Sequence, residues 1–76
     1  MKKKVIKMHL IKDVQELARQ ASLITGDIIV KRGHFAIDCR SLMGLFSIDL
    51  TQGVTIEYPE EAFMFEKYLS NFEIKS

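Results

Sequence analysis

The chain is poor in the residues that mark several protein classes: one cysteine, one proline, four glycines and no tryptophan in 76 residues. A single cysteine, Cys39, cannot close an internal disulfide, which excludes a secreted disulfide scaffold and a cysteine-based zinc finger. An excess of one charge is also lacking. Eleven basic against ten acidic side chains leave +1, too balanced for an affinity resting on phosphate neutralisation, so no nucleic-acid partner is expected. No apolar run approaches the ~20 residues of a membrane span, so no membrane partner is expected either. There is no repeat, linker or low-complexity segment, no glycine-rich phosphate loop and no nucleophile–base pair. His34 and Cys39 lack the further ligands that zinc needs, so neither metal nor cofactor is expected.

What is present is a hydrophobic share of 47% with 28% charged residues interspersed, the balance of a soluble globular domain. Size scaling predicts a folded surface of roughly 4,800 Å² against roughly 12,800 Å² for the open chain, enough burial for one modest core. One domain over residues 1–76 and a cytoplasmic location follow as expectations. Met1-Lys2-Lys3-Lys4 is similar to the start of a signal peptide, but Lys7, Lys12 and Asp13 interrupt the apolar region such a peptide needs, leaving a flexible solvated end.

Periodicity orders the rest. From Lys4 to Leu10, Ile6, Met8 and Leu10 alternate with Lys7 and His9, predicting a half-buried strand. Val14, Leu17, Ala18 and Ala21 then fall on one helical stripe, with Asp13 and Glu16 spaced as a capping box and Gly26 as the stop. Asp27 to Lys31 and Phe35 to Cys39 read as strands joined by a hairpin turn at Arg32-Gly33-His34. Ser41 stands at the N-cap of a short helix running to Leu50, Val54 to Tyr58 is a fourth strand, and Pro59 opens a last helix with the stripe Ala62, Phe65, Leu69, Phe72. The order β-α-β-β-α-β-α predicts an α+β two-layer open-faced sandwich, a four-stranded antiparallel sheet with helices on one face.

The segment Arg40-Ser41-Leu42-Met43-Gly44-Leu45-Phe46-Ser47-Ile48 resembles the regulatory-serine segment of HPr, the histidine-containing phosphocarrier of the bacterial sugar phosphotransferase system. In that family a basic residue, serine, two aliphatics, glycine and more aliphatics begin the second helix. Ala18-Arg19-Gln20-Ala21-Ser22, Gly26-Asp27-Ile28 and Gly53-Val54-Thr55-Ile56 are similar to family segments at the matching spacing. The resemblance implies the HPr-like sandwich, no enzyme but at most a stoichiometric phosphocarrier, and protein partners: Enzyme I, the HPr serine kinase or a transcriptional regulator. One departure is decisive. The carrier motif Gly-x-His-Ala-Arg-Pro is replaced by Met8-His9-Leu10-Ile11-Lys12-Asp13, with Leu10 at the histidine position and Asp13 at the proline position.

A histidine relay needs a ring nitrogen aimed at the donor, and positive charge with free amides to hold the transferred group. His9 stands one residue early, which on a strand turns it to the opposite face. Lys12 offers a point charge in place of the arginine fork, and Asp13 adds negative charge. His9 is therefore expected to be a solvent-facing strand residue, and the chain a regulatory or interaction module without ordinary carrier activity. Ser41 is the candidate regulatory phosphorylation site, since a phosphate at a helix N-cap meets unpaired amides, with Arg40 beside it to pair; the plain reading is an unmodified cap. Leu42, Met43 and Phe46 are the candidate partner-docking patch. Cys39 reads as a buried small hydrophobe, His34 as an exposed turn residue, and Glu60, Glu61 and Glu66 as surface charges. Two further readings stand beside the first: a genuine phosphocarrier using His9 with Lys12, and a structural homo-oligomer packed through the last helix, whose Phe63, Phe65, Tyr68 and Phe72 suit a core or a dimer. Monomer or weak dimer is expected.

Overall fold

The structure, a computed structural model, describes residues 1–74. Along the chain run β1 (Lys2–Ile6), α1 (Ile11–Ser22), β2 (Ile29–Arg32), β3 (Phe35–Asp38), α2 (Leu42–Phe46), a 3-10 turn at Leu50–Gln52, β4 (Val54–Tyr58) and α3 (Phe63–Leu69). The strands form one sheet in the order β1-β4-β2-β3, with every neighbouring pair antiparallel.

Alternation decides which side of the sheet is covered. In β4, Val54, Ile56 and Tyr58 are buried while Thr55 and Glu57 are half-buried. Ile6, Val30 and Ile56 meet Val14, Leu17 and Ala21 of α1, Leu45 of α2, and Phe65 and Leu69 of α3 in one core. The other face carries the cross-strand rows Lys3–Glu57–Ile29–Asp38 and Val5–Thr55–Lys31–Ala36. It contains the Lys31–Glu57 ion pair at 3.0 Å. The expected open-faced α+β sandwich is therefore present. Its accessible surface, 4945 Å², agrees with the size scaling.

Several boundaries differ from expectation, each for a local reason. The N-terminal lysines are not a loose end: β1 starts at Lys2, with Lys2 paired to Glu66 at 3.2 Å and Lys4 to Glu73 at 3.1 Å. The strand stops at Ile6 because the next amides turn elsewhere, Lys7 N to Phe72 O and Met8 N to Leu50 O, both at 3.1 Å. Met8 stays buried, but Leu10 is 52% exposed, not on the core face. The capping box does not form. Leu10 occupies the N-cap without a side-chain bond, Asp13 lies inside the first turn, and Glu16 instead accepts from Arg19 and Gln20.

α1 also ends before Gly26, with Leu23 as its C-cap. Gly26, at φ 108°, turns the chain toward β2, and a Cβ there would sit 3.2 Å from Pro59 Cγ. In the hairpin, Arg32 pairs with Phe35 across Gly33-His34, and Gly33 at φ 59° supplies the required conformation. The second helix ends at Phe46 instead of reaching Leu50, because Ser47 caps it and Asp49 starts the 3-10 turn. Pro59 does not open α3: it begins a turn closed by Ala62 N to Pro59 O at 3.1 Å, and the helix starts at Phe63. At the far edge the chain returns to β1, with Ile74 N donating to Val5 O at 2.9 Å and Glu73 bridging to Ile6.

Candidate functional site

The site is built where the residue 7–10 segment and the start of α1 face α2 and the 3-10 turn. A shallow groove of about 150 Å³ lies there, lined among others by His9, Leu10, Ile11, Phe46, Asp49 and Thr51. His9 is exposed and sits in a non-strand segment directly before α1. The expectation of a strand residue, and with it the argument from a flipped face, is thereby corrected. Lys12 is exposed in the first turn of α1, and Asp13 is half-buried beside it.

Two features set the electrostatics of the groove. The N-terminus of α1 has no side-chain cap. Asp13 N and Val14 N return to Leu10 O at 3.0 and 3.3 Å, which leaves the amides of Ile11 and Lys12 at the positive helix end beside His9. Asp49 supplies the opposite sign. Its carboxylate accepts from the Thr51 hydroxyl and, at 2.9 Å, from the Thr51 amide. These bonds hold its pKa below the ordinary carboxylate value, with smaller help from Arg32 and His9.

Ser41 is an exposed N-cap, its Oγ accepting from Gly44 N at 3.2 Å. Arg40 does not face it. Its guanidinium donates to the carbonyls of Ala21, Ile24 and Gly26, gripping the negative end of α1 and leaving no free fork for a phosphate on Ser41. The sequence-based pairing of Arg40 with such a phosphate is corrected accordingly. Gly44 is required by contact: a Cβ there would stand 2.5 Å from Ile37 Cγ2. That close approach seats α2 on β3 and turns Leu45 inward. Leu42, Met43 and Phe46 are left 37%, 86% and 50% exposed.

Leu10 and Ile11, 52% and 68% exposed, line the groove together with Phe46 and were not singled out from sequence. The signal for them was an adjacent apolar pair at a helix start, where both cannot face one core. Asp49 and Thr51 were missed for another reason: only the fold brings residues 49–51 to the residue 7–10 segment. The remaining candidates lie apart from the groove. His34 is exposed in the hairpin turn. Cys39 is buried, and burial pushes its thiol up to about 12. Glu60 and Glu61 are exposed, whereas Glu66 is half-buried and accepts from the Tyr58 hydroxyl at 2.7 Å. Among the described residues no three His, Cys, Asp or Glu side chains gather as metal ligands, and no helix is long and apolar enough to cross a membrane.

No protein-family model and no curated protein matches the sequence. Solved structures do match. HPr-C-His from Thermoanaerobacter tengcongensis superposes with a TM-score of 0.75 at 20% identity, over 93% of this chain and 89% of that chain. The phosphocarrier protein HPr from Bacillus anthracis strain Ames gives 0.71 at 17% identity, over 96% of both. This chain has the HPr fold. Agreement extends over nearly the full length of each chain, so the HPr fold accounts for the whole architecture described above. At this level of identity the chemistry has to be read from the side chains themselves.

Proposed function

We propose that the protein is an HPr-like regulatory or interaction module related to the phosphoenolpyruvate-dependent sugar phosphotransferase system, without ordinary histidine phosphocarrier activity. The observation that carries this reading is an exposed apolar set: Leu10, Ile11 and Phe46 line one groove, and Leu42 and Met43 are exposed on the same short helix as Phe46. Residues of this kind on a small soluble domain are the chemistry of a protein-docking surface, and methionine suits partners of varied shape. Ser41, at the head of α2, is the regulatory site: a phosphate there lies against the helix amides and places charge beside the patch. With Arg40 committed elsewhere, that phosphate is held by the amides of α2 alone, so its charge acts on the partner. It weakens an apolar partner and favours one that brings its own arginine.

The experiment is direct. Purified protein is incubated with Enzyme I and phosphoenolpyruvate, and separately with the HPr serine kinase and ATP. Intact mass is read in each, and binding to each of the two proteins is measured by calorimetry. The expected result is a phosphoryl gain only with the kinase, lost in Ser41→Ala. Binding to at least one of the two proteins is expected to be abolished in Phe46→Glu at unchanged circular dichroism. Unaltered binding by Phe46→Glu overturns the docking surface.

A second reading, the phosphocarrier using His9 with Lys12, is favoured by one observation: His9 stands before an uncapped helix end with two unbonded amides, the setting a phosphoryl group requires. Asp49 across the groove opposes it. An acid-labile gain in the Enzyme I reaction that disappears in His9→Ala would establish this alternative.

A further inference from the structure

We draw no further inference here: the strongest candidate, the outer edge of β3, where Phe35 is 66% exposed and no described strand pairs on the side away from β2, carries nothing because nothing in the structure shows what covers it.

Discussion

Arg40 shows how much one side chain can settle. Its backbone amide donates to Asp38 Oδ1 at 2.9 Å, and its guanidinium spans the carbonyl of Ala21 in the last turn of α1 and those of Ile24 and Gly26 in the loop that follows. The residue therefore ties the exit of β3 to the C-terminus of the longest helix, where a fixed positive charge also opposes the negative end of the dipole. Arg40→Ala is expected to destabilise the fold by about 1–2 kcal/mol, the scale of a charged hydrogen-bonding group that caps several acceptors. Arg40→Lys is expected to recover less than half of that, because an ammonium cannot span the fork. Urea unfolding of the two variants checks both values, and equal midpoints for alanine and arginine would remove Arg40 from the account of stability. The same commitment explains why a phosphate on Ser41 would be held by amides alone.

At the scale of elements, the seat of α2 on β3 decides what the groove displays. Gly44 is a poor helix former, and alanine should add up to ~1 kcal/mol at such a position by propensity alone. Here the Cβ would meet Ile37 Cγ2 at 2.5 Å, and overpacking of this kind costs about 1–3 kcal/mol. Gly44→Ala is thus expected to be net destabilising in the wild type and stabilising in an Ile37→Ala background, a reversal of sign that thermal melts of the four proteins would reveal. Elements of this kind were largely legible in the sequence. Val54 to Tyr58, the stripe Val14, Leu17, Ala21, the Gly33 hairpin and the Ser41 cap are local patterns, and the structure has them all. What could not be read locally was set by distant backbone. Lys7 and Met8 leave β1 because Phe72 and Leu50 accept their amides, so His9 and Leu10 were assigned to a strand that ends before them. The groove was half legible: α2 announced its exposed residues, whereas Asp49 and Thr51 reach His9 only through the fold.

For the whole molecule, protons held by the core set an alkaline limit. Burial pushes the Cys39 thiol and the Tyr68 hydroxyl each up to about 12, and burial together with the Glu66 hydrogen bond raises the Tyr58 hydroxyl further. The unfolded chain releases these protons at ordinary thiol and phenol values while the folded chain keeps them. Their contribution is therefore complete below pH ~8.5 and is lost progressively above it. The urea midpoint is expected to be level between pH 7 and 8 and to fall steadily from pH 9 upward. Cys39→Ala should remove the earliest part of that fall, and a midpoint unchanged up to pH 10.5 would contradict the assignment. The sheet order has a consequence of another kind, in time. β1 leaves the ribosome well before its partner β4, with some fifty residues between them. At ordinary rates of synthesis it waits roughly 3–10 s with its backbone unpaired. Lys2, Lys3 and Lys4 keep that waiting strand charged and unattractive to other nascent chains until β4 arrives.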